Sequence, residues 1–396
     1  MKVSFNKEKI YFWLLGISAA IIPLPGNNFS SLSLILLTTF WLLSGDYQEK
    51  TQNLKVNKLN LFFISIPFLL AVLGLIYTDN LAYGIRKIQM LLPFFLYPLI
   101  LLSMKPNPFI QRFVLYCFSF GTLLASLMGI GKAFYYRLNH LGDYFYYARF
   151  AELVDKHTTY FSLFIVLSFL FLLNEVLNRK LKGYYFFPVA IFWLLTLYVV
   201  SARISIVALA IGSLFLLLLN LKTRLKWILI LLPILGIGIF ALPNFQKRFE
   251  LNQTEIGQLS DKEFRTLHWK SVIETIQHSP ILIGSGTGSD RDFLYDTYRN
   301  YHLTSAYELE YNAHNQYLEI VLDYGLIGLL IFLFMLAFFS YSFLRNKNYF
   351  ELIAIGVFII YFCTESVFQR YDGAVTFSLL ISVCIISNTI KKTHLI

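Results

Sequence analysis

Residues 312–328 read NAHNQYLEIVLDYGLIG, and in this stretch a long polar segment gives way to an apolar helix of membrane length. His314 therefore falls at a membrane lip. A titratable imidazole beside Asn315, Gln316, Glu319 and Asp323 suits proton transfer on a substrate that arrives in the bilayer. Asn315, Glu319 and Asp323 recur every four residues, which aligns them on one face of the helix.

Working outward, the 396 residues are 57% hydrophobic and only 14% charged, a composition far from that of a soluble domain. Twelve apolar runs are expected to cross a membrane, at 10–22, 32–43, 59–77, 88–103, 109–131, 158–173, 184–200, 204–219, 225–242, 316–343, 349–362 and 374–386. Several fall short of the ~20 residues a straight span requires, and flanking Tyr, Trp and Lys complete them at the interfaces. The fold class predicted is an all-α polytopic membrane protein, one integral membrane domain over residues 1–396, with a largely helical outer module between spans nine and ten. The short segments on one side are rich in Lys and Arg and poor in acids, so both termini are expected in the cytoplasm. The net charge of +10 then belongs to anchoring among membrane lipids and makes no case for nucleic acid. Cys117, Cys363 and Cys384 are isolated in apolar runs, which argues against a disulfide framework or a thiolate metal site. No dense Asp or His cluster points to a metal, and no cofactor motif is evident.

Two outer segments are long enough to do more than connect helices. Segment 132–157 carries Phe134, Tyr135, Tyr136, Tyr144, Phe145, Tyr146, Tyr147 and Phe150, a composition for an interfacial belt or a sugar-stacking surface. Segment 243–313 is too long to lack structure and reads as a capping module. Within it, 261–277 has a helical pattern in which Arg265, Trp269, Val272, Ile273 and Ile276 share a stripe. Pro280 then stops the helix. The run PILIGSGTG at 280–288 follows, and Gly284, Gly286 and Gly288 permit backbone amides to converge on an anion. The run lacks the Lys-Ser/Thr ending of a nucleotide-binding loop. Arg203 sits in a tight outer hairpin, SARIS at 201–205, where a cation requires a partner or an anionic ligand. Arg86 and Lys87 open the fourth span in the same way, as anchors or as further ligands.

The order of these motifs resembles the O-antigen ligase and O-antigen polymerase superfamily: SARIS at 201–205, FRTLHW at 264–269 leading to PILIGSGTG, then HNQYLE at 314–319 and YGLIG at 324–328. The resemblance implies glycosyl transfer at the periplasmic face of a bacterial inner membrane, from an undecaprenyl-diphosphate-linked glycan to a sugar hydroxyl of the lipid A core or of another glycan. It maps the family's functional arginines and histidine onto Arg203, Arg265 and His314. His314 is then the general base of a metal-independent, inverting transfer, and Arg203 and Arg265, with Arg86, Lys87 and the three glycines, meet the charge of the diphosphate. Trp269, Asn315, Glu319 and Asp323 support them. A polymerase differs from a ligase only in its acceptor. A transporter of the same lipid would gather charge at the bilayer midplane, whereas here charge gathers at the outer lip. A scaffold or sensor leaves the Arg, Gly and His motifs unexplained.

Overall fold

The computed structural model describes residues 7–107, 109–219, 261–289 and 291–393. Among these residues every regular element is helical. The first seven helices are α1 (Lys7–Ile21), α2 (Asn27–Leu43), α3 (Tyr47–Val56), α4 (Lys58–Ile64), α5 (Ile66–Gly74), α6 (Leu81–Leu91) and α7 (Pro93–Ser103). The chain continues through α8 (Ile110–Leu138), α9 (Tyr147–Val154), α10 (Thr158–Leu177), α11 (Gly183–Val200) and α12 (Arg203–Leu219). The described chain resumes with α13 (Asp261–His278), followed by α14 (Arg291–Asn300), α15 (Thr304–Glu308), α16 (Gln316–Arg345), α17 (Tyr349–Phe362) and α18 (Tyr371–Thr393).

Each expected span except 225–242 falls on one of these helices or on a broken pair; that span, and the start of the 243–313 segment, lie outside the described residues. Five described helices are long and apolar enough to cross a membrane, and seven if two bent pairs count as one span each. Helices such as α17, with 14 residues, are shorter than the ~20 a straight crossing needs. The chain is a multi-pass membrane protein. One bend is abrupt: α3 turns through 113° from the helix before it.

The core explains the order of the remaining helices. Helix α10 is apolar on all sides and lies almost wholly inside, as a helix without a polar face must. Ser162 meets Tyr361 and Phe171 meets Phe350, so α10 and α17 run antiparallel. Phe186, near the start of α11, meets Phe169, in the second half of α10, edge-on. Helix α11 therefore climbs back toward the end where α10 began, and the turn at Ser201, held at a positive φ of 53°, delivers Arg203 there. Gly212 fits against both Leu170 and Ile353, which locks α12 onto α10 and α17. Arg203 thus opens its helix at the same end as His157 and Phe362.

At that end, residues 261–313 form a small helical module with its own apolar cluster of Val272, Ile276, Leu294, Tyr298, Leu303 and Ala306, closed by Val321 and Leu322 of α16. Helix α13 matches the expected helix, but its inward face differs. His268, Ser271, Val272, Thr275 and Ile276 are buried, whereas Arg265 and Ile273 are exposed. The expected stripe placed Arg265 and Ile273 with Val272 and Ile276, and the buried face here takes in His268, Ser271 and Thr275 in their stead.

The expected single helix at 316–343 is broken. Gly325 has φ 65° and ψ −167°, and the loop before α14 docks into the gap. Ser285 and Gly286 donate their amides to the carbonyls of Leu322 and Asp323, while the amides of Leu326 and Ile327 donate to Ile281 and Leu282. A Cβ on Gly325 would lie 2.3 Å from the Leu282 carbonyl carbon, and one on Gly284 would lie 2.5 Å from that of Asp323. Only glycine permits two backbones this close at positive φ.

Candidate functional site

The segment leading into α16 is fixed by its own polar side chains. Asn312 Oδ1 accepts the amide of His314, and Asn315 Oδ1 accepts those of Tyr317 and Leu318, capping the helix. Asn315 also bonds outward, its amide to Ser366 Oγ and its Nδ2 to the carbonyl of Cys363. Gln316 Oε1 accepts the amide of Phe368. The segment is thereby stitched to the loop between α17 and α18, and His314 is held at φ 44° in the left-handed region.

That loop supplies Glu365, a residue the sequence reading did not single out. Its Oε1 lies 3.4 Å from His314 Nδ1, and the carboxylate is buried while the imidazole keeps about a third of its surface. Burial pushes the Glu365 carboxyl up, but the hydrogen bond and charge of His314, with help from His157 and Arg370, hold it below the usual carboxylate range. An ionised carboxylate at Nδ1 selects the tautomer protonated there and leaves Nε2 basic.

Two more rings frame His314. Tyr311 stands edge-on at 5.1 Å, and His268 lies 5.5 Å away. His268 is buried, stacks on Tyr298 and meets its hydroxyl at 3.0 Å. Burial first, and then the charge of His314, push its pKa down to about 3. It is a neutral wall. Exposed Arg265 is close enough to act on His268, and exposed Arg370 acts on both Glu365 and Tyr311, so two cations bear on the groups that surround His314.

Glu319 and Asp323 point elsewhere. Four buried charges interlock behind the His314 segment: Lys87 pairs with Asp323 and lies 4.0 Å from Glu319, and Arg291 pairs with Glu319. The four sum to zero, as burial at this depth demands. Glu319 Oε2 also accepts the amide of Ala313 and the hydroxyl of Ser366, and Asp323 Oδ1 accepts the amide of Gly288. The cluster therefore ties α6, α14 and α16 to both loops that hold His314.

Several expected ligands change role. Lys87 is committed to carboxylates rather than turned toward an opening. The amides of residues 284–288 do not converge on an anion: Gly284 bonds Pro280, Ser285 and Gly286 bond α16, Thr287 bonds the Gly74 carbonyl and Gly288 bonds Asp323. The glycine run is a clasp for the broken helix. Arg86 is exposed beside buried Lys87, and Trp269 is half-buried one turn from Arg265. His268, Arg291 and Glu365 were missed, though His268 stands inside the quoted FRTLHW motif. Among the described residues no group of three or more His, Cys, Asp or Glu is arranged to hold a metal.

Residues 188–333 match the family model described as O-Antigen ligase, a span that runs from Pro188 in α11 through the His314 segment and into α16. That match bears out the resemblance to the O-antigen ligase superfamily. No curated protein matches the chain.

Proposed function

We propose that this protein transfers a glycan from undecaprenyl diphosphate to a sugar hydroxyl of the lipid A core, at the periplasmic face of a bacterial inner membrane. The observation that carries the reading is the pair of partly exposed His314 and buried Glu365, at the end of the helices where α12 begins with Arg203. His314 Nε2 takes the proton of the acceptor hydroxyl as its oxygen attacks the anomeric carbon. The bond from that carbon to the diphosphate breaks, and the diphosphate leaves with the electron pair. Attack opposite the leaving group inverts the anomeric centre. Arg203 and Arg265 meet the charge that develops on the diphosphate, and Glu365 stabilises the imidazolium until its proton is released. Lys87, Gly284, Gly286 and Gly288 hold the broken helix that presents the base. The substrates bring their own membrane anchor, which suits a site at the lip of a helical bundle.

Purified protein given a lipid-diphosphate donor, excess chelator and a choice of lipid A core or lipid-linked glycan as acceptor tests the reading. Product on the core acceptor, lost in His314→Ala and strongly reduced in Arg203→Ala and Arg265→Ala, is the expected result. Product only on the lipid-linked glycan makes the protein a polymerase instead. Full activity of His314→Ala removes the base from the mechanism.

A further inference from the structure

The docked loop has a second face. Ile281, Leu282 and Ile283 follow one another outside any helix, and each is about half exposed, at 51%, 59% and 48%. Three adjacent large apolar side chains on an irregular segment are unusual for a turn facing water. Their carbonyls are nevertheless all satisfied within the protein: those of Ile281 and Leu282 by the amides of Leu326 and Ile327, and that of Ile283 by the Tyr77 hydroxyl at 2.8 Å. Non-helical backbone is tolerated at membrane depth when protein groups meet it in this way.

The surroundings give the depth. Beyond the break, residues 326–345 rise about 30 Å at ~1.5 Å per residue, which matches a hydrocarbon core about 30 Å thick. A crossing by these residues puts Leu326 at one boundary of that core, and the tip bonded to its amide level with it. Leu73 and Ile76 on one side of the tip, and Leu326, Ile327 and Leu330 on the other, are exposed as well, so the apolar surface is continuous across helix, loop and helix.

We propose that residues 281–283 are a membrane-embedded tip, by which the 261–313 module inserts into bilayer acyl chains beside the broken helix. The occupant is bilayer lipid because the patch continues the apolar faces of two helices that the same bilayer covers. The inference rests on the break at Gly325 and on the module's docking, and does not depend on the chemistry at His314. Its consequence is mechanical: the segment from Gly284 to Gly288 connects the tip to Asp323, so the depth of the module in the bilayer is coupled to the helix that presents His314.

The test is a spin label at Leu282→Cys, and separately at Ile281→Cys, in full-length Cys363→Ser protein reconstituted in phospholipid nanodiscs. Leu330→Cys on α16 provides the lipid-facing reference and exposed Gln277→Cys on α13 the aqueous one. Embedding predicts that labels at 281 and 282 collide with oxygen several-fold more than with a water-soluble nickel chelate, as at 330. Collision with the chelate at the level of 277 overturns the proposal. So does protection from both reagents, which would mean that protein covers the tip. Two adjacent positions keep the test open if one variant fails to fold.

Discussion

His314 Nδ1 lies 3.4 Å from a Glu365 carboxylate that is itself almost wholly buried, so an accessible ring is backed by a hidden anion. Glu365→Gln keeps the shape and removes the charge. Turnover is expected to fall on the order of ten- to a hundredfold, with donor binding little changed. His314→Ala is expected to cost on the order of 100- to 10,000-fold. Alanine at His140, His278 or His302 should stay within a few-fold of wild type. His157 is not a fair control, because its charge acts on Glu365. Wild-type turnover in Glu365→Gln would reduce the carboxylate to a packing element.

The buried cluster makes a contrary prediction for Lys87. A diphosphate ligand, once removed, weakens donor binding and leaves a stable protein. A member of a neutral buried quartet, once removed, strands a carboxylate at a cost of about 3–5 kcal/mol. Lys87→Ala and Arg291→Ala are therefore expected to lower the melting temperature in detergent before any effect on donor affinity is read. Lys87→Ala combined with Asp323→Asn should recover part of the loss. A stable Lys87→Ala with a raised donor KM returns Lys87 to the substrate.

The contrast between what the sequence disclosed and what it hid follows from the range of each interaction. The apolar runs among the described residues, the helix expected at 261–277 and the place of His314 just before a helix are local patterns, and each of them falls on or beside a helix. Glu365 was hidden because it is 51 residues from His314 and sits in a short loop, CTESVFQR at 363–370, that carries no motif. Lys87 was misread for the same reason, since its partner Asp323 is 236 residues away. The glycines at 284–288 were expected to turn their amides toward an anion, and those amides bond protein carbonyls and a carboxylate. What approaches them is the chain's own helix, a distinction that no local spacing carries.

That close approach is open to a direct test. Alanine at Gly325 or Gly284 must place a Cβ within 2.5 Å of opposing backbone at a positive φ. Both variants are expected to lose the docked loop, with a destabilisation of several kcal/mol that no flexible side chain can relieve. Gly131→Ala and Gly356→Ala are the controls, because a Cβ there meets nothing within 4 Å and the change should be neutral or slightly stabilising. Protease susceptibility of the 279–289 loop in membranes separates the two classes. Equal resistance in all four variants would show that the helix tolerates another way of closing its break.

His268 sets a pH dependence whose sign can be worked out. Its folded pKa of about 3 lies below the ordinary histidine value of 6.5, so in the interval between them the unfolded chain binds a proton that the folded chain refuses. Stability therefore rises with pH across that interval: the contribution is complete above 6.5 and erodes as the pH falls toward 3, at up to about 1.4 kcal/mol per pH unit. Glu365 shifts in the same sense, but below its ordinary value of 4.5, so it does not contribute between pH 5 and 6.5. Over that narrower window, hydrogen exchange in α13 and α14 of the reconstituted protein should quicken as the pH is lowered, after correction for the intrinsic rate. His268→Phe keeps the ring that stacks on Tyr298 and cannot be protonated, so it should flatten the dependence. If the slope persists unchanged in His268→Phe, the group being protonated is another one, and His268 is not the neutral wall beside the base.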